Sequence, residues 1–394
     1  MTLTNTSIAD IYKVSLPAVN MWIKNAQLKK NNLILSNNNK KLQVVDNENN
    51  RAELQKLADL GKKFKTSKNL IKNRTSDEFY KVFNIQEIIE LSHSLDSKSE
   101  IPHKFTYKNG GAELWDNFYN KNVPNGSYAI DKYIIQPLNE ILNFVLNRAE
   151  NYKHINIIEL GPGNGLPAID FIKEIEKTNK LQKYIAIDIS DELLKICKTN
   201  ITNELPNITF ESLKLDIENE KLFKISLANK QPDTINIILY LGATIGIHQD
   251  QEMVLKNIKS GMEQGDLCII SNTIDCLTTR SSYPFASNPD TFDQINWIPN
   301  LLGLELKQDD LVKYYDEEKG IKVLAFKLQS NYILNIDSES YKKTIELEKG
   351  QEVIVWRLKM TKIETLANFA KSTNFKLSGF VSTKDNAHLL MILE

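Results

Sequence analysis

The chain has 394 residues, 41% of them apolar and 25% charged, which suits a globular protein of two or three domains with real cores. No apolar run reaches the length of a bilayer span and the N-terminus carries no signal-like apolar segment, so membrane residence and export are not expected. The formal net charge of -1 hides an asymmetry: residues 1–75 hold 14 Lys and Arg against 5 Asp and Glu, a balance of +9, and the remainder carries -10. Such a split suits a first segment that meets a polyanion.

In that segment, residues 7–13 read as a short capped helix, 14–15 as a turn and 16–25 as a second helix. Ala9, Val14, Val19 and Trp22 fall where a helix-turn-helix buries its contacts. Pro17 lies in the first turn, where its missing N–H costs nothing, while Lys13 stands where such motifs often carry Gly. Residues 32–35 and 41–45, joined by Ser36-Asn37-Asn38-Asn39, read as a hairpin, and residues 50–60 as a third helix. The arrangement resembles the winged helix-turn-helix domains of the MerR and excisionase type. That resemblance implies DNA contact through residues 1–70, with Asn20 and Lys24 near base edges in a major groove and Lys40 and Lys41 on phosphate. Two other readings stay open: a small helical bundle whose lysines form a solvated face, and a docking module that recruits or dimerises the chain.

Residues 64–105 read as a Lys/Asn/Ser-rich connector followed by a helix over 76–95, in which Ile85, Ile88, Ile89 and Ser92 recur at packing intervals. Beyond Tyr107-Lys108-Asn109-Gly110-Gly111-Ala112-Glu113-Leu114-Trp115-Asp116 comes the most informative stretch, residues 155–165. A β-branched run ends at Glu159 and enters the turn Gly161-Pro162-Gly163-Asn164-Gly165, before a helix over 167–176. The three glycines let backbone approach a ligand that a Cβ would obstruct. A second strand over 184–190 carries Asp188, placed to accept from both ribose hydroxyls of a nucleotide. A third strand, 210–215, ends at Asp216-Ile217, and a fourth, 234–241, runs into Gly242-Ala243-Thr244-Ile245-Gly246. Glu159, Asp188, Asp216 and Gly242 lie 29, 28 and 26 residues apart, one strand–helix unit per interval of a doubly wound sheet.

The alternating glycines of the first turn depart from the dinucleotide fingerprint, since Leu166 stands where its third glycine belongs. They resemble the first motif of the S-adenosylmethionine (SAM)-dependent methyltransferases. Residues 107–116 are similar to the Tyr-Asp-x-x-Gly-Ser-x-Leu-Phe-Asp signature of the histidine-specific methyltransferases, the Nα-methylating enzymes of ergothioneine synthesis. Residues 240–246 follow that family's Phe-Leu-Gly-Ser-Thr-Ile-Gly, and 292–302, 321–329 and 353–359 follow its inserted substrate domain. The resemblance covers about residues 105–394. It implies SAM as cofactor, held by Glu159, Gly161, Gly163, Gly165, Asp188, Asp216, Ile217 and Gly242. It also implies an acceptor site formed by Tyr107, Tyr128, Ile247, Trp356 and Leu358. Three of these depart from the family: Ile247 stands for an Asn, Trp356 for a Glu and Leu358 for a Ser. With those polar anchors apolar, a free amino acid's charges would go unpaired at a cost of roughly a few kcal/mol, so free histidine is not the expected acceptor.

The chemistry implied is in-line displacement at the sulfonium methyl, which needs a positioned, unprotonated nucleophile. Tyr107 and His248 are the catalytic candidates, with Tyr240 and Trp356 beside the acceptor; His248 follows the fourth strand and could take a proton. A solvent-facing loop position for His248 and a core position for Trp356 are the plainer readings. The five His residues form no Ser/His/Asp or His-x-His grouping, the Asn-Pro-Pro-Tyr motif of amino-DNA methyltransferases is absent, and Ser287-Asn288-Pro289-Asp290 reads as a turn. Cys197, Cys268 and Cys276 show no disulfide or metal spacing, so no metal and a reducing cytoplasm are expected.

The expectation is an α/β protein: a doubly wound, Rossmann-like class I methyltransferase core with an inserted α+β substrate domain and an N-terminal winged helix-turn-helix. Its domains are a winged helix-turn-helix at 1–70, a helical connector at 71–104, the core at 105–276 completed by 356–394, and a substrate lid at 277–355. The function expected is SAM-dependent methylation of a small-molecule or amino-acid-like acceptor. The alternative is a DNA-associated regulator whose degenerate methyltransferase domain binds SAM or another small ligand without turnover.

Overall fold

The computed structural model describes residues 2–14, 16–27, 31–38, 41–65, 70–124, 129–220, 230–283 and 289–394. Two compact units emerge: residues 1–73 with 329–335 and 344–350, and residues 74–328 with 336–343 and 351–394.

In the first unit, Thr4 caps the helix Asn5–Tyr12 by accepting from the Ser7 amide. Lys13 ends that helix in the left-handed region at φ 52°, the conformation that explains why glycine is common there. The helix Leu16–Gln27, the antiparallel pair Leu35–Asn38 and Lys41–Val45, and the helix Glu48–Lys65 follow. Val19 and Trp22 enter a core with Ile8, Val44 and Leu54, while Ala9 and Val14 pack half-buried against it. Asn50 is fully buried because its amide bonds Ile34 and Val45 backbone atoms, which fastens the third helix to the hairpin. The strand Leu70–Arg74 joins a sheet with Asn331–Asp337 and Lys342–Leu347. The lysine-rich stretch read as a connector is therefore paired at its end, by partners too distant in sequence to leave a local signal.

In the second unit the helix expected over 76–95 is two helices, Asp77–Val82 and Ile85–Lys98. Phe83 is extended, and Asn84 starts the second helix with a reciprocal capping box to Glu87. A 3₁₀ turn, His103–Tyr107, and the helix Gly111–Asn122 lead to the central sheet.

That sheet has seven strands: β1 (His154–Leu160), β2 (Leu181–Asp188), β3 (Thr209–Lys214), β4 (Thr234–Tyr240), β5 (Leu267–Thr273), β6 (Leu377–Ser382) and β7 (His388–Leu393). Their order is β6-β7-β5-β4-β1-β2-β3. β1 pairs in parallel with both β2 and β4, β4 with β5 and β2 with β3, whereas β7 runs antiparallel to β5 and β6. Both faces are covered, with Ile157 in one apolar cluster and Ile158 in the other, so β1 reads as a continuous apolar run. The order reverses between β1 and β4, and a crevice at the carboxyl ends of such neighbours is where this architecture binds ligands. A separate antiparallel sheet joins Leu311–Asp316, Ile321–Lys327 and Glu352–Lys359, with an irregularity at Leu324/Ala325.

Candidate active site

The turn after β1 is shaped by its neighbours. Gly163 has φ +58°, and a Cβ there would stand 3.1 Å from the Trp115 ring; Gly165 has φ +76°, and its Cβ would meet Cys197 Sγ at 2.9 Å and Ile201 at 3.1 Å. Asp116 accepts from Asn164 Nδ2 at 2.9 Å. The Trp115-Asp116 end of the 107–116 signature thus braces the glycine turn, one residue against its backbone and the other against its side chain. Glu159, at the last turn of β1, is 1% exposed and accepts from the Tyr184 hydroxyl at 2.5 Å. Burial pushes its carboxyl up to about 8 against the opposing effect of that hydrogen bond. Glu159 is therefore largely protonated at neutral pH.

Asp188 ends β2 with its carboxylate buried, where it accepts from the Ser190 amide at 2.9 Å. Burial raises it to about 6, opposed by amides of Ser190, Ile189 and Gly163, so it is mostly ionised at pH 7. Ser190 caps the next helix and its hydroxyl also donates to the Tyr107 carbonyl at 3.3 Å. This fastens the tyrosine segment to the end of β2, beside a cleft of about 340 Å³ lined by Tyr107, Ser190 and Lys214 among others. A carboxylate held by backbone amides beside a loop that a Cβ would fill suits the ribose and sulfonium portion of SAM.

Past β3, Asp216 accepts from Lys104 Nζ at 2.6 Å, while Ile217 packs half-buried against the sheet's apolar cluster. Lys104 is 9% exposed and also reaches Glu90 at 2.7 Å and Glu218 at 3.6 Å. Glu218 then bonds His248 Nδ1 at 2.7 Å, and His248 Nε2 bonds the Tyr240 hydroxyl. The hydrogen bond from His248 and the charge on Lys104 hold Glu218 down at about 2 despite desolvation. His248 is 8% exposed, which corrects the solvent-facing loop reading: the loop folds inward because Glu218 and Tyr240 satisfy both ring nitrogens. The Tyr240 ring lies 3.8 Å from where a Cβ on Gly161 would be, so this chain begins at the glycine turn. Gly242 follows Tyr240 by two residues and opens the turn leading to His248.

Tyr107 brings its hydroxyl to 3.3 Å from His103 Nε2, and burial pushes His103 down to about 4. Leu358 Cδ1 would lie 2.5 Å from a Cβ on Gly246, so the antiparallel sheet meets the turn after β4 at that leucine. Ile247 is half-buried in the same turn, and Trp356 is half-buried two residues before Leu358. Trp356 is not the core residue that its type alone suggests. Tyr128 lies outside the described residues, as does Lys40. Asn20 and Lys24 are exposed on the helix Leu16–Gln27, and Asn20 accepts from Asn5 at 2.8 Å; of Lys41 only the strand backbone is described. Among the described residues, no group of three or more His, Cys, Asp and Glu is arranged to hold a metal ion.

The model of the histidine-specific, SAM-dependent methyltransferase family matches residues 88–393. The chain belongs to this family. It is a SAM-dependent methyltransferase, with SAM as its cofactor. Among solved structures it resembles an S-adenosylmethionine-dependent methyltransferase from Clostridium acetobutylicum, at 10% identity over 72% of this chain and 98% of the other, with a TM-score of 0.39. It also resembles the magnesium protoporphyrin IX methyltransferase of Synechocystis with bound SAH, at 9% identity over 78% and 98% of the two chains and a TM-score of 0.38. A third is the CcbJ methyltransferase of Streptomyces caelestis, at 12% identity over 65% and 88%, with a TM-score of 0.36. A search of curated protein sequences found no match. No helix among the described residues of this methyltransferase is long and apolar enough to cross a membrane.

Sequence reasoning missed Lys104, Glu218 and His103. Lys104 and His103 immediately precede the tyrosine signature, and Glu218 lies two residues past Asp216, so each sits beside a recognised motif. Which charges they face depends on contacts across more than a hundred residues, as Lys104 with Asp216 shows.

Proposed function

We propose that this methyltransferase transfers the methyl group of SAM to a small-molecule or amino-acid-like acceptor other than free histidine, with its cofactor on Glu159, Gly161, Gly163, Gly165, Asp188, Asp216, Ile217 and Gly242. The observation that carries the reading is the chain from half-buried Glu218 through buried His248 to Tyr240, which ends at the glycine turn. SAM supplies an electrophilic methyl on a positive sulfur. Asp188 binds the ribose edge, and the Asp216-Ile217 pair takes the adenine end. Tyr107, Tyr128, Ile247, Trp356 and Leu358 surround the acceptor and exclude water from it. The acceptor's lone pair forms the new bond to carbon while the carbon–sulfur pair leaves with sulfur. Glu218 accepts from His248 Nδ1, so Nε2 keeps its lone pair and receives the Tyr240 hydroxyl proton. A proton shed by the acceptor enters at the Tyr240 oxygen as that proton passes to His248. Free histidine is disfavoured because Ile247, Trp356 and Leu358 offer its amine and imidazole no partner.

Residues 1–70 are read as a winged helix-turn-helix that recruits the enzyme to DNA through Asn20, Lys24, Lys40 and Lys41, or that dimerises it. Residues 71–104 are then a connector, 105–276 with 356–394 the catalytic core, and 277–355 the acceptor lid, in a cytoplasmic protein. The +9 balance of residues 1–75 and the exposure of Lys24 support the DNA reading.

Calorimetric titration of the full chain with SAM, beside Asp188→Ala, tests the cofactor site. Binding that the substitution weakens by about a hundredfold or more is expected, since two ribose hydrogen bonds to a charged group are lost. Equal affinity in the two proteins would remove Asp188 from the site.

A further inference from the structure

Among the described residues of the second unit, Lys104 and Lys322 are buried and Lys230 is half-buried. Lys104 faces Glu90, Asp216 and Glu218, and Lys230 faces Glu263 and Asp266 at 2.9 Å each. Lys322 differs. It is 4% exposed, yet its ammonium donates to the Ser282 carbonyl, lies 4.7 Å from the centroid of the Tyr283 ring, and has no carboxylate partner among the described residues. An ammonium carries three donors and a full charge. One carbonyl and one ring face leave that charge uncompensated, and desolvation lowers the group to about 8.

Its position gives the charge a use. In the antiparallel sheet Lys322 stands directly opposite Leu358, and Leu324 opposite Trp356. Opposed residues project to one face, as do residues two apart on a strand. Lys322 therefore shares the face of Trp356 and Leu358, and Leu358 is the residue packed on Gly246 in the turn after β4. On its other flank Lys322 raises the potential at His388. His388 begins β7 opposite Thr273 at the end of β5, and its ring stacks on Tyr133 with centroids 3.8 Å apart.

We propose that Lys322 is the anion anchor of the acceptor site, receiving a carboxylate of the acceptor while Trp356, Leu358 and Ile247 cover an apolar body. This rests on methyl transfer to a small acceptor at the site proposed above. It names the substrate class: an apolar or aromatic molecule bearing a carboxylate. It also explains how the chain binds an acid after its Asn, Glu and Ser anchors became apolar, because one buried cation replaces several dispersed polar contacts.

The full chain, saturated with S-adenosylhomocysteine, is titrated calorimetrically with phenylalanine, tryptophan, leucine and benzoate, and with the corresponding amides. At least one carboxylate is expected to bind about tenfold or more tighter than its amide. Lys322→Met abolishes that preference and Lys322→Arg retains part of it, with S-adenosylhomocysteine affinity unchanged in both. Carboxylate binding to the unsubstituted chain is held below pH 8 and lost as the pH rises past it, because only the charged ammonium accepts the ligand. Among the described residues, the titratable groups facing Lys322 are Tyr283, Tyr315 across the strand and His388, with Asp275 and Arg280 beyond Tyr315 and with Asp385 and Lys132 beside His388; burial raises both phenols, Tyr315 to about 12, and lowers His388 to about 4. None of the three changes charge in that window. The proposal is overturned if no carboxylate of the panel is preferred to its amide, if the preference survives Lys322→Met, or if it does not respond to pH. Loss of S-adenosylhomocysteine binding in the unsubstituted chain would instead sink the methyltransferase site itself.

Discussion

Between Glu159 and Gly165 seven consecutive residues supply a carboxyl group, a turn and the approach to a helix, whereas the proposed acceptor face draws Tyr107, Ile247, Lys322 and Trp356 from segments up to 249 residues apart. The first is a local solution to a backbone problem, since the ligand's phosphate-free nucleoside needs room and a carboxyl group at fixed spacing along one strand–turn–helix unit. The second is a matter of which strands lie side by side. Lys322 becomes a neighbour of Leu358 only through the antiparallel register, and His248 becomes buried only because Glu218 and Tyr240 arrive from other strands. A locally encoded half tolerates change elsewhere in the chain, while an assembled half is sensitive to every element that builds it.

Gly165→Val attacks the local half where it has least freedom, and has the largest expected effect. The left-handed backbone at φ +76° and the 2.9 Å approach to Cys197 Sγ together cost about 2–5 kcal/mol. Denaturant unfolding should show that loss, with SAM affinity falling alongside it. An unchanged midpoint would mean that the turn relaxes easily and is not braced as described.

Glu218→Gln probes the assembled half. Glu218 is held at about 2 against a usual 4.5, so its stabilisation is fully present above the unfolded value and is lost as the pH falls from 4.5 towards 2. The shift corresponds to about 3 kcal/mol, reduced in practice by its partial exposure to solvent. The variant should be less stable at neutral pH and should lose less on acidification. Parallel acid-unfolding curves for the two proteins would dissolve the Lys104–Glu218–His248 linkage.

Lys24→Glu gives the smallest effect, on a surface used by neither half. Stability and SAM affinity should stay as they are, since the side chain is exposed. Duplex DNA affinity should fall, and its salt slope should drop by about 1. Unaltered duplex binding would take the second helix out of the DNA reading and leave docking or dimerisation.

Much of the fold was legible in the strand–acid spacing. The strand over 234–241 lies within a residue of β4, because an apolar run in a sheet covered on both faces is hard to mistake, and the strand over 210–215 lies within a residue of the exposed edge strand β3. The helix over 76–95 was misjudged at Asn84, where a capping box interrupts an apolar period that continues on either side. The strand Leu70–Arg74 left no trace, since lysines and asparagines predict no strand and only its sheet neighbours make it one.

By itself the sequence determined the doubly wound core, the glycine turn and the carboxylates at the strand ends. Those features depend on side-chain periodicity and backbone freedom over a few residues. The tertiary structure alone decided that His248 is buried, that Asp216 is tied to Lys104, and that Lys322 is a buried cation with no carboxylate partner among the described residues. Burial and pairing are properties of what surrounds a side chain, and chain order does not carry them.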